Sequence, residues 1–107
     1  LTRRNPPTER RIRDWIRANI TVEGRPDWIF VKLHMHGCNE LHGRLLRRGF
    51  PDLHESLRQL CENNKEWSLH YLSAREMYNI ARAAECGKSG DPDQWRDFEV
   101  TTPECVK

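Results

Sequence analysis

The feature that most constrains the fold is the run WIFVKLHM at residues 28–35, where aromatic, β-branched and other large side chains follow one another without glycine or proline. Such a run is typical of a β-strand, in which successive side chains point to opposite faces. Phe30, Lys32, His34 and His36 then share one face, and the alternate face is wholly apolar. Because lysine and histidine are costly to bury without partners, we predict a strand whose polar face borders a wet cavity.

Three stretches carry the spacing of amphipathic helices. The first covers residues 8–20, with a threonine cap, and the second covers residues 52–64. A third helix begins after Ser73, whose hydroxyl can cap it while Glu76, three positions on, reaches back to the cap N–H. Gly87 is a suitable left-handed terminator for this helix. SLHYL at residues 68–72 is predicted to be a short second strand that leads into this cap.

The order helix, strand, helix, strand, helix predicts the α/β fold class, with parallel strands joined by right-handed crossovers. Two strands alone cannot form a parallel sheet that is covered on both faces. We therefore predict an incomplete parallel β/α barrel-like segment with two main strands and three helices. Residues 1–27 are the helix and linker, residues 28–87 hold strand-helix-strand-helix, and residues 88–107 are an irregular tail. The whole is expected to be a single truncated segment of a larger α/β domain, or a chain that associates with something else.

The two histidines lie where α/β proteins carry their working groups, at the C-terminal end of a strand and before a loop. We take His34 and His36 as the candidate catalytic residues, because an imidazole group exchanges protons near neutral pH or ligates a metal. Lys32, on the same face, and Glu40, in the loop 37–50, are the candidate substrate-binding residues. A purely structural role for the histidine pair is the alternative.

Charge and apolar content limit the partners. The 107 residues include 18 Lys and Arg against 16 Asp and Glu, a formal net charge of +2. This excess is too small to indicate nucleic acid, and no apolar run approaches the roughly 20 residues of a membrane-spanning helix. The four cysteines form no C-x-x-C pair, which argues against a zinc knuckle or a redox dithiol. Disulfides and reduced thiols both stay open, so the compartment is undetermined.

The order of these features resembles the C-terminal end of the polysaccharide deacetylase family. FVKLH at residues 30–34 matches an apolar strand that ends in Leu-His. LHESLRQLCENN at residues 53–64 matches the amphipathic helix that follows, and LHYLSAREMYNI at residues 69–80 matches a short strand with its serine-capped helix. The similarity covers about 50 residues.

The resemblance implies a distorted β/α barrel and a hydrolase that removes acetyl groups from N-acetylated sugars. In that reaction a metal-bound water attacks the acetamide carbonyl, and a histidine at the end of a late strand protonates the leaving amine. His34 would carry this acid role, with His36 beside it. The divalent metal, zinc by preference, would be held by an aspartate and two histidines in the upstream part of the same barrel, and nothing in residues 1–27 matches these ligands. The segment alone is expected to bind no metal tightly and to be inactive, and Lys32 replaces an apolar residue usual in the family's acetyl pocket.

Two other interpretations remain. KLHMH at residues 32–36 differs from the Asp-Leu-His-x-His pattern of metal-dependent phosphoesterases and amidohydrolases only by Lys32, and there both histidines would bind metal. HYLSARE at residues 70–76, however, lacks the Thr-Asp-His type motif of the next phosphoesterase strand. The last interpretation is a non-catalytic α/β interaction module. Each catalytic interpretation requires Lys32 to project into a wet hollow rather than into bulk solvent.

Overall fold

The computed structural model describes residues 1, 7–34 and 45–104, and this part of the chain is helical. It contains three α-helices: α1 at Glu9–Ala18, α2 at Phe50–Asn63 and α3 at Ala74–Glu85. A π-helical turn, Leu45–Gly49, runs directly into α2, and a 3-10 turn, Pro92–Trp95, follows α3.

The chain divides into two compact units. The first unit holds Leu1–Ile20 and Phe30–Leu69, and the second holds Thr21–Ile29 and His70–Lys107. Helices α1 and α2 therefore belong to the first unit, while α3 and the 3-10 turn belong to the second.

The predicted α/β fold class, an incomplete parallel β/α barrel-like segment with two main strands, is wrong. Within residues 1, 7–34 and 45–104 there is no β-strand, and a lone antiparallel bridge between Val22 and Arg25 only closes a turn. In the first predicted strand the Phe30 N–H donates to the Ile20 carbonyl at 2.9 Å, without a ladder. In the second, the Tyr71 carbonyl accepts from the Arg96 guanidinium at 2.9 Å. A strand needs a neighbouring strand to pair its backbone groups, and an apolar composition does not supply one.

The predicted separation of a polar and an apolar face in residues 28–34 is also not observed. Val31, placed by its parity on the apolar face, is 41% exposed. Lys32 and His34, placed on the opposite face, are exposed as well. Trp28 is buried, with the Arg25 guanidinium 5.4 Å from its ring centroid.

Helix α1 forms where its cap and its apolar spacing predicted it. The Thr8 hydroxyl accepts a hydrogen bond from the Arg11 N–H at 3.3 Å, and Asn19 ends the helix in a left-handed conformation with φ 51°. Ile12 is buried in the core of the first unit, where α1 packs against α2 and its buried Leu53. Ile20, the last residue of the predicted helix, lies beyond the observed end of α1 and is exposed.

Helix α3 is capped as predicted. The Ser73 hydroxyl accepts from the Glu76 N–H at 3.2 Å, and the Glu76 carboxylate accepts from the Ser73 N–H at 2.9 Å. Gly87, predicted as the terminator, has φ +76°, a conformation that glycine adopts without a Cβ clash. Its N–H donates to the Ala84 carbonyl at 3.0 Å, which satisfies one of the last free carbonyls of the helix.

The core of the second unit is the buried face of α3, formed by Asn79, Ile80, Ala83 and Ala84. Asn79 is fully buried at 0% exposure, and its amide binds the backbone of residues 96–100. We call residues 97–102 the strap, since they lie along α3 after the 3-10 turn. The irregular tail of the prediction is therefore partly ordered by α3.

None of the helices in the described part of the chain is long and apolar enough to cross a membrane, as the sequence led us to expect.

Replacement of Ser73 by alanine removes one half of the α3 capping box. We expect Ser73→Ala to lower the free energy of unfolding by about 1 kcal/mol, because the Glu76 N–H loses its acceptor. Urea denaturation followed by circular dichroism measures this change. The matched control is Ser68→Ala at an exposed serine outside α3, which should be close to neutral. Equal losses in the two variants would contradict the role of the cap.

Candidate functional site

The residues predicted to form a catalytic site are not gathered into a pocket by the described part of the chain. Lys32 and His34 are both exposed, so no polar hollow encloses them. The His34 backbone carbonyl accepts a hydrogen bond from the Leu1 ammonium group at 2.8 Å. His36 and Glu40 lie outside the described residues. The catalytic roles of His34 and His36 and the binding roles of Lys32 and Glu40 therefore stay predictions.

Another set of side chains, His70, Asp91 and Asp93, does meet in the second unit. One potential ligand atom from each lies within 4.8 Å of the other two. His70 Nδ1 is 2.9 Å from Asp93 Oδ1, and Asp91 Oδ1 accepts the Asp93 backbone N–H at 2.9 Å. All three side chains are open to solvent to some degree, His70 least with 21% of its side chain exposed.

Local turn chemistry places the two aspartates. Gly90 adopts φ +93°, and Asp91 then caps the 3-10 turn that Pro92 begins. The sequence GDPD at residues 90–93 is a turn signal, and it lies within the part of the chain that was predicted to be an irregular tail. No sequence signal predicts that this turn lies against His70, because the two are distant along the chain. The His70 ring is half-buried and has the Asp93 carboxylate as its partner.

Arg96 binds the same carboxylate that faces His70. Its Nε and Nη2 donate to Asp93 Oδ1 at 2.9 and 2.6 Å. Its Nη1 donates to Glu76 Oε2 at 3.1 Å and to the Tyr71 carbonyl at 2.9 Å. We call His70, Glu76, Asp93 and Arg96 the Arg96 cluster.

The charges of the Arg96 cluster keep its carboxylates ionised. Hydrogen bonds from His70 and from Arg96 lower the pKa of Asp93. The Ser73 backbone N–H and then Arg96 lower the pKa of Glu76 to about 2. The same two carboxylates, Glu76 first, raise the pKa of Arg96. Glu76, Asp93 and Arg96 are therefore a network of ion pairs at neutral pH.

An imidazole and two carboxylates are ligands that zinc or manganese accept, so His70, Asp91 and Asp93 could hold a divalent cation. Arg96 opposes cation binding, because its guanidinium already donates two hydrogen bonds to Asp93 Oδ1 and would place a positive charge beside the cation. Nor does the set match the aspartate and two histidines that the deacetylase resemblance implies. It fits a structural ion-pair network better than a metal centre.

A scan against protein-family models and searches among curated proteins and solved structures found no match for this chain. The resemblance to polysaccharide deacetylases therefore stays a prediction from the residues themselves. Any functional inference depends on those residues and on the geometry described above.

Acid should weaken the second unit through Glu76. Its folded pKa of about 2 lies below the ordinary value of 4.5, so its stabilising effect is complete above pH 4.5 and is lost as the pH falls toward 2. Glu76→Gln lacks this titration. We expect the difference in melting temperature between wild type and Glu76→Gln to shrink over that pH range in thermal scans. A constant difference would contradict the ion pairing of Glu76.

Removal of the Arg96 charge should improve cation binding at the adjacent carboxylate. We expect Arg96→Met to bind zinc about tenfold more tightly than wild type, because one nearby positive charge is gone and Asp93 Oδ1 is released. Isothermal titration calorimetry measures the two affinities, with circular dichroism to verify that helix content is kept. The control is the double variant Arg96→Met, Asp93→Asn, which should lose the gain. Equal zinc affinities for wild type and Arg96→Met would show that Arg96 does not compete.

Proposed function

We propose that this chain is the histidine-bearing segment of a polysaccharide deacetylase-like hydrolase that acts on N-acetylated sugars. The order of its elements supports the proposal. Helix α2 at Phe50–Asn63 and the capped helix α3 at Ala74–Glu85 fall where the resemblance to that family requires an amphipathic helix and a serine-capped helix. The predicted barrel is no part of the proposal.

The observation that carries the proposal is the full capping box at Ser73, directly after LHYL at residues 69–72. A reciprocal cap fixes where α3 begins and therefore fixes the register of the last matched stretch. The residues that support it, Ser73 and Glu76, are those quoted for the resemblance.

His34 has the proton-donating role in this proposal. Its side chain is exposed, so the imidazole is accessible to a sugar amine from solvent. Lys32 is exposed as well, so the wet hollow that the catalytic interpretation requires around it is not found in the described residues. In this proposal the bound sugar itself must cover Lys32.

The metal of such an enzyme would activate the water that attacks the acetamide. The described residues of this chain do not fit that site. The group at His70, Asp91 and Asp93 does not fit it, because Arg96 already pairs with Asp93. The proposal therefore gives this segment proton transfer and sugar contact, and gives it no metal.

The proposal is tested by NMR on the His34 ring during titration with a soluble oligomer of N-acetylglucosamine. We expect the ring signal of His34 to shift in a saturable manner, while the ring of the exposed His54 on α2 does not. The matched control ligand is the fully deacetylated oligomer, which lacks the acetamide and should leave His34 unshifted. A matching response of His34 to both oligomers, or no response to either, would reject the proposal.

A further inference from the structure

Polar contacts from one buried side chain hold the strap on α3. Asn79 Nδ2 donates to the carbonyls of Arg96 and Val100, both at 2.7 Å. Asn79 Oδ1 accepts from the N–H groups of Glu99 and Val100, at 3.2 and 2.8 Å. The amide thus uses two donors and two acceptor positions on the backbone of a single short segment.

Two arginines on α3 add charged contacts on either side. Arg75 Nη1 donates to Asp97 Oδ1 and to the Val100 carbonyl, both at 2.6 Å. Its Nη2 donates to the Thr102 hydroxyl at 3.2 Å. Arg82 Nε donates to Glu99 Oε2 at 3.0 Å. These pairs are partly exposed, so solvent screens them.

Apolar burial adds little to the attachment. Val100 is 44% exposed, and Asp97, Glu99 and residues 101–102 are exposed too. Phe98 alone in the strap is half-buried, with its ring 5.8 Å from that of Trp95 in an edge-to-face contact. A segment with few buried apolar contacts and mostly solvent-facing hydrogen bonds belongs to the low-stability end of a protein.

The turn before the strap is held by different contacts. The Arg96 side chain binds Glu76, Asp93 and the Tyr71 carbonyl, none of which lies in the strap. The Gln94 N–H donates to the Asp91 carbonyl at 3.1 Å within the 3-10 turn. Arg96 is therefore a hinge, with its side chain in the Arg96 cluster and its carbonyl bound to Asn79.

We propose that the strap leaves α3 as one unit, while α3 and the 3-10 turn stay folded. The backbone contacts between the strap and α3 converge on Asn79 and Arg75, so they break together when the segment lifts. The Phe98 N–H donates to the Trp95 carbonyl at 3.2 Å, a contact to the turn beside the hinge that does not hold the strap on α3. When the strap is released, the Asn79 amide is exposed to water, which replaces its lost hydrogen bonds. The open state therefore does not carry the free-energy cost of a buried amide without partners. The strap is a conformational device hinged at Arg96.

Native-state hydrogen exchange at low denaturant concentration tests this device in the full chain. The reporters are the Glu99 and Val100 amides in the strap, the Gln94 amide in the turn, and the Ile80 and Ala84 amides in α3. We expect Glu99 and Val100 to share one exchange rate after correction for sequence, about tenfold or more above that of the α3 amides. If the strap and the α3 amides exchange at one rate with one denaturant dependence, the strap is no separate unit.

Variants separate release of the strap from loss of the fold. Asn79→Ala should speed the exchange of Glu99 and Val100 by about tenfold or more and leave Gln94 unchanged. Arg75→Gln leaves Asn79 in place and should speed the exchange of Glu99 and Val100 by a smaller factor. If Asn79→Ala does not fold, Arg75→Gln is the variant that tests release of the strap. Arg58→Gln on α2 is the control, since it also removes exposed ion pairs, with Glu55 and Glu62, and should leave the strap unchanged. Equal acceleration of strap and α3 amides in either test variant overturns the proposal.

Discussion

The second unit depends on the contacts of one guanidinium group. Arg96 joins the backbone of the segment before α3, the first turn of α3 and the 3-10 turn, through Tyr71, Glu76 and Asp93. A planar group with several donors can serve three acceptors at once, which a lysine could not do with the same geometry. Isolated exposed ion pairs contribute little to stability, but here the same arginine also binds the second carboxylate oxygen of Glu76, the residue that caps α3 with Ser73. The cap, the turn and the strap hinge are therefore linked through a single side chain.

Local signals in the sequence predicted the helices well. The α1 cap at Thr8, the reciprocal cap at Ser73 and the terminator at Gly87 are all observed, because each depends on residues three or four positions apart. The prediction of two strands was wrong for the opposite reason, since a strand requires a distant partner that no short pattern specifies. Residues 45–50, expected in a loop with three glycines nearby, are instead helical. The strap went unrecognised because Asn79, a polar residue within an amphipathic helix, gives no sign of a buried backbone partner.

The candidate sites likewise differ in whether they were predicted from neighbouring residues or depend on contacts between distant ones. His34 and Lys32 were chosen by strand parity, and without a sheet that parity has no structural basis, so they are exposed residues with a proposed role. The group at His70, Asp91 and Asp93 depends on contact between a turn and a segment far away in sequence. Its chemistry is governed by Arg96, which neutralises Asp93 and turns a set of possible ligands into an ion-pair network. His70 is therefore a structural partner of Asp93, whereas the proton transfer assigned to the exposed His34 is a proposal.

Asn79 recognises the strap by its peptide groups rather than by its side chains. The contacts at residues 96, 99 and 100 are all made to main-chain atoms, which every amino acid shares. The contacts to Asn79 consequently do not depend on which side chains the strap carries, with one chemical exception. Proline at position 99 or 100 would delete an N–H that Asn79 Oδ1 accepts, so those two positions exclude proline although they are exposed.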